Sequence, residues 1–136
     1  MINTQALGRF QVKSIKTRQE ESKMRKWQAL FYTVRHLQWQ AVKGQIFRDA
    51  IEKGIIQPIA PPVRLKDGSF SRPEFDPDDI RQLYAEAWQE FVAAFDAAFV
   101  HATTDELIEY AQNHFGMGEK ELLALNAQRA AERYNR

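Results

Sequence analysis

"PIAPPVRLKDGSFSRPEFDPDDI", residues 58–80, contains all five prolines of the chain. Its reading decides the fold, because it is either a linker between two bodies or a connection inside one. Pro61-Pro62 excludes helix and favours extended backbone. "VRLKDGSF" (63–70) then reads as a tiny hairpin, two short extended runs turning at Asp67-Gly68. The closing "FDPDDI" (75–80) is a helix start. Asp76 is placed to cap, Pro77 fits the first helical position, and Asp78 and Asp79 sit where a helix N-terminus favours anions. About twenty residues is long for a loop in a compact domain. Yet Ile55, Ile56, Ile59, Val63, Leu65, Phe70 and Phe75 are too many large apolar groups for a solvated linker, since fully burying each contributes roughly 1.5–3 kcal/mol. The expectation is a packed connection within one domain.

Upstream, apolar spacing predicts one long helix from Lys16 to Lys53. Met24, Trp27, Phe31 and Val34 recur at helical intervals, and Trp39, Val42, Ile46 and Ala50 continue the stripe, with Leu30 and Leu37 widening it. Gly44 is its weak point, where a kink or a second helix could begin. Gly54 is a stop. Residues 1–15 read as an N-terminal arm, in which Phe10 and Val12 alternate as in a short strand. Downstream, a helix is predicted from Pro77 to about Ala102, with Ile80, Tyr84, Trp88, Phe91, Phe95 and Phe99 on one stripe. Ala93, Ala94, Ala97 and Ala98 form a small-residue seam that suits close approach of another helix. Thr103 and Glu106 make a capping box for a helix over 104–115. "GMG" (116–118) ends it, and a last helix starts at Glu119 with Leu122, Leu123 and Leu125 turned inward. The fold class expected is all-α: a bundle with one long N-terminal helix, a proline-rich extended excursion and three further helices, residues 16–136 forming a single helical domain.

Composition narrows the function classes. With 136 residues, 44% hydrophobic and 12% aromatic, the chain falls in the globular range and outside the disordered one. The absence of cysteine excludes disulfides and thiolate metal sites and fits a reducing compartment. The opening "MINTQALGRFQVKSIKTR" lacks the apolar run of a signal peptide. The most apolar stretch, residues 87–102, is too short for a bilayer and carries Glu90 and Asp96. A cytoplasmic protein with no membrane partner is expected. The net charge of +1 conceals an imbalance: residues 1–75 carry +8 and residues 76–136 carry −7. Such halves either neutralise one another or face different partners.

Catalytic patterns are missing. There is no cysteine nucleophile and no G-x-S-x-G elbow, and "GMGEK" lacks phosphate-loop spacing. The pairs Asp78/Asp79 and Asp105/Glu106 are explained by helix starts. His36, His101 and His114 have no ligand spacing. No enzyme, metal or cofactor is therefore expected; a small enzyme would have to rest on carboxylates such as Glu86 or Glu90 inside the bundle.

The sharpest feature is basic. Arg9, Lys13, Lys16, Arg18, Lys23, Arg25 and Lys26 surround only Glu20 and Glu21, directly before Trp27, Phe31 and Tyr32. Cations at a helix N-terminus oppose the helix dipole, so they call for an acidic helix of the same chain, an acidic protein surface, or phosphates. The first helix also exceeds its partner in length, which would let Trp27, Phe31 and Tyr32 project past the bundle. The partner-binding residues expected are Arg9, Lys13, Lys16, Lys23, Arg25, Lys26, Trp27, Phe31 and Tyr32. The function expected is a non-enzymatic interaction protein, docking onto a protein partner or forming a homo-oligomer as a small component of a larger assembly. The alternative is a nucleic-acid-binding accessory protein of a mobile element.

Three local resemblances accompany this reading. "HLQWQAVKGQIF" (36–47) is similar to the first-helix pattern of miniferritins, but the chain has no Glu-x-x-His to hold iron. "DELIEYAQNHFGMGEKELLAL" (105–125) resembles a helix-turn-helix. Its second helix opens on Glu119-Lys120-Glu121, acids where phosphates would lie, which suits a plain turn between helices. "IFRDAIEKGIIQPIAPPVRLKDGSFSRPEFDPDDIRQLY" (46–84) resembles the junction into the catalytic domain of phage-type tyrosine recombinases. That likeness would imply a non-catalytic relative or fragment, because the family's catalytic arginine setting finds only Gly116 to Glu121, without arginine, and its nucleophile has no counterpart beyond the isolated Tyr134.

Overall fold

The computed structural model describes residues 15–134 and shows an all-α chain. Four helices are present among the described residues: α1 (Ile15–Glu52), α2 (Pro77–Phe99), α3 (Thr104–Phe115) and α4 (Glu119–Tyr134). The expected arm over residues 1–15 lies almost wholly outside them. No helix among the described residues is long and apolar enough to cross a membrane. The chain gathers into two compact units, one of Val34–Ala102 and one of Met1–Thr33 with Thr103–Arg136. The proline stretch lies wholly inside the first of these and is not a linker between them. The boundaries instead fall within α1, between Thr33 and Val34, and at the junction of α2 and α3, between Ala102 and Thr103.

In the unit of Val34–Ala102, the second half of α1 runs antiparallel to α2. Rising numbers on α1 meet falling numbers on α2: Arg35 meets Asp96, Trp39 meets Phe91 and Trp88, and Phe47 meets Tyr84 and Phe75. Trp39 is buried, with its ring centroid 5.1 Å from Trp88, 5.3 Å from Phe91 and 6.2 Å from Tyr84. Phe91, Phe95 and Phe99 continue the apolar ridge along α2, Phe95 fully inside. The alanine seam behaves otherwise than expected. Ala93, Ala94, Ala97 and Ala98 are exposed, because the aromatic ridge takes the packed side of α2 and leaves the small residues facing solvent.

The local signals at the helix ends act as read. The Asp76 carboxylate accepts from the Asp78 N–H at 2.9 Å, with Pro77 opening α2. At the end of α1, Gly54 takes φ +69°, which lets Ile55 N–H donate to the Ala50 carbonyl and Gly54 N–H to that of Ile51. Gly44 does not split α1, which is one continuous helix.

In the unit containing α3 and α4, Leu30, Leu107, Ala111 and Leu122 are completely buried. Thr33 is buried with them and satisfies its hydroxyl by donating to the Ala29 carbonyl at 2.7 Å. The Thr103 hydroxyl accepts from Glu106 N–H while the Glu106 carboxylate accepts from Thr103 N–H, the reciprocal box the sequence announced. Lys26 on α1 pairs with Glu119 in the first turn of α4.

Two substitutions of opposite sign test this packing in urea denaturation. Gly44→Ala should stabilise by about 1 kcal/mol, because a Cβ there meets only the flexible end of Arg48 at 3.4 Å. Leu122→Ala should cost about 2–5 kcal/mol through the cavity it leaves.

Candidate interaction surfaces

The proline-rich stretch is a hairpin arm, and it is not packed. Ile59 N–H donates to the Glu74 carbonyl (2.7 Å), Ser71 N–H to Val63 (2.8 Å) and Leu65 N–H to Ser69 (2.7 Å). Antiparallel bridges at Ala60–Glu74 and Arg64–Phe70 share one register. The turn is a residue longer than a two-residue loop. Gly68 N–H donates to the Leu65 carbonyl and Gly68 itself takes φ +89°, so the loop is Lys66-Asp67-Gly68 between Leu65 and Ser69. The Asp67 carboxylate accepts from both the Ser69 hydroxyl (2.6 Å) and the Ser69 N–H (3.0 Å). These two donors hold its pKa below the usual carboxylate value, the hydroxyl contributing most.

Directly paired residues share a face of a ribbon. Val63 and Leu65 therefore stand on one face with Ser71 and Ser69, and Phe70 stands on the other with Arg64. Every residue from Gln57 to Phe70 is exposed. Ile59, Val63 and Phe70 each keep about two thirds of their surface in solvent (66%, 63% and 67%). This corrects the expectation of a packed connection. Of the seven apolar groups in the stretch, Ile56 is buried and Phe75 is half-buried against Phe47 (5.1 Å); Ile55, Ile59, Val63, Leu65 and Phe70 are all exposed. The backbone satisfies its own hydrogen bonds in the ribbon and has no need of the helices, so the side chains are left outside.

The same unit carries an open cleft of about 500 Å³ between the end of α1 and the middle of α2. Ile46, Ala50, Leu83 and Phe91 give it apolar lining. Asp49, Glu86 and Glu90 line it as well, against the single cation Lys53. Among the described residues none of these acids has an ion-pair partner. Glu86 and Glu90, expected inside the bundle if they were catalytic, are exposed.

The basic end of α1 is more dispersed than its sequence suggests. Arg9 and Lys13 lie outside the described residues. Lys16 and Lys23, seven residues apart, share one side of the helix, whereas Arg25 lies opposite them with Arg18 and Tyr32. Lys16, Lys23 and Tyr32 are exposed. Arg25 is exposed and 3.7 Å from Glu21, and Lys26 is engaged by Glu119. Trp27 is half-buried and stacks on Phe31 at 4.9 Å. Phe31 is buried and does not project, because its position on the helix puts it inward beside Leu30. Among the described residues no group of His, Asp or Glu is arranged to hold a metal.

Sequence reasoning missed the exposed residues of the arm. The signal was present, since "VRLK" and "SFSR" alternate apolar with polar, as ribbons with a solvated face do. No family model, curated protein or solved structure matches this chain.

The turn makes a pH prediction. A depressed carboxyl pKa means that Asp67 stabilises the turn above its unfolded pKa and that this contribution is lost as pH falls through the folded value. Carbon-detected NMR should find Asp67 titrating below the usual aspartate value, and Ser69→Ala should move it upward.

Proposed function

We propose that this protein is a non-enzymatic interaction protein, and that the arm of residues 57–74 is its docking element. The observation that carries this reading is the exposure of Ile59, Val63, Leu65 and Phe70 on a short two-stranded ribbon. An isolated ribbon of that size is marginal in water and normally needs cover on its apolar surface. Contiguous exposed apolar groups mark interaction sites in folded proteins. Carboxylate acid–base catalysis draws its tuning from burial, and Glu86 and Glu90 stand in solvent, which favours docking over chemistry at the cleft.

A photo-crosslinking phenylalanine analogue at position 70, expressed in the native cell, should give a discrete protein adduct that the same analogue at exposed Gln128 does not. An adduct at both positions, or at neither, rejects the arm as the docking element.

The exposed face of Arg18, Arg25 and Tyr32, with Lys16 and Lys23 on the other side, supports a second reading in which α1 contacts nucleic-acid phosphates. Affinity for a random-sequence duplex should then fall steeply with salt, and Lys23→Ala with Arg25→Ala should flatten that slope. Binding insensitive to both changes removes this reading.

A further inference from the structure

We infer that the occupant of the cleft is the arm of a second copy of this chain, exchanged reciprocally to form a symmetric dimer. The inference rests on the arm being a docking element and adds the identity of its partner. Three observations converge on it.

The first is chemical complementarity. The tip of the arm joins apolar Val63, Leu65 and Phe70 to Arg64 and Lys66, both exposed, neither with an ion-pair partner among the described residues. The cleft joins apolar Ile46, Leu83 and Phe91 to Asp49, Glu86 and Glu90, which lack such partners too. Asp67 also stands at the tip and Lys53 also lines the cleft, but the tip stays net cationic and the cleft net anionic. Each surface still offers apolar area for apolar area and net charge for opposite net charge.

The second is that the arm does not serve its own cleft. Its root is fixed by buried Ile56 and by Phe75 against Phe47, and its backbone is closed by the bonds from Ile59 to Glu74 and Leu65 to Ser69. Every side chain from Gln57 to Phe70 is nevertheless in solvent, and the cleft stands open. The third is shape. Because the ribbon is apolar on both faces, laying it on a flat surface would leave Phe70 or the Val63–Leu65 pair wet. A cleft covers both faces together. With arm and cleft on one unit, a reciprocal exchange about a two-fold axis makes each contact twice and leaves neither surface open, whereas a head-to-tail contact would run on into a ring or filament.

Sedimentation equilibrium and light scattering on the full chain provide the test, with circular dichroism as the folding check. The expected result is a concentration-dependent dimer. Arg64→Glu with Lys66→Glu should weaken it at least about tenfold, as should Glu86→Lys with Glu90→Lys. A chain carrying all four changes should recover dimerisation, because the charges of Arg64 and Lys66 and those of Glu86 and Glu90 are then exchanged, with Asp49 alone keeping its sign. All these positions are exposed, so helicity should be unchanged in every variant. A strict monomer overturns the inference, as does a dimer indifferent to the reversals or one that the four-fold variant fails to restore. If the position-70 crosslink joins a different protein while the purified chain is monomeric, the arm remains a docking element and only the second copy is rejected.

Discussion

The contact on which the unit of Val34–Ala102 depends is Trp39 set into the aromatic face of α2. Its ring meets Tyr84, Trp88 and Phe91, residues spaced at three and four positions and so stacked on one side of the helix. Edge-to-face geometry with Trp88 (81°) and Tyr84 (79°) suits the charge distribution of the rings and fixes register as well as area. Everything else in this unit follows from that register. Arg35 is carried to Asp96 at 3.1 Å and lies over Trp88, Lys43 lies 4.7 Å above the Tyr84 ring, and Phe47 reaches Phe75 at the root of the arm. The arm is held at its base by the same antiparallel pairing that leaves the cleft beside it.

Charge is arranged to agree with this packing. The basic first half and the acidic second half of the chain meet at Lys26–Glu119 in one unit and at Arg35–Asp96 in the other. The Arg35 pair is the more consequential, since its guanidinium side chain is only 17% exposed and adds a ring contact, whereas the Lys26 pair is solvated on both sides. Exposed pairs contribute about 0–1 kcal/mol, so they orient more than they stabilise. Two such pairs do not consume the imbalance. Cations remain on α1 and on the arm, and anions remain along the cleft.

Helix positions were legible because their causes are local. Asp76-Pro77, Thr103 with Glu106, and Gly54 each act within a turn of chain, and the apolar spacing from Leu30 to Ala50 needs only the helical period. Burial was legible where one stripe sufficed, at Val34, Trp39 and Leu122. It failed at Met24, which lies on the expected stripe of α1 and is exposed, and at the alanine seam of α2, because two faces competed for one partner and only tertiary packing chose the aromatic one. The arm failed for a related reason. Counting Ile59, Val63, Leu65 and Phe70 shows how much apolar surface seeks cover but cannot say that the cover belongs to the same chain. The basic end of α1 failed by geometry: Lys23, Arg25 and Lys26 are neighbours in sequence, yet Arg25 points away from the side that Lys23 and Lys26 share.

A monomer that retains this arm carries a standing cost. Burying the four apolar side chains of the ribbon would each be worth roughly 1.5–3 kcal/mol, a large share of the stability of a domain this small. Replacing them with polar residues would leave the ribbon's hydrogen bonds intact, since those run through the backbone and Ser71. Nothing among the described residues therefore requires Val63, Leu65 and Phe70 to be apolar. If the arm docks as proposed, its own chemistry sets what the partner must offer: apolar surface and negative charge.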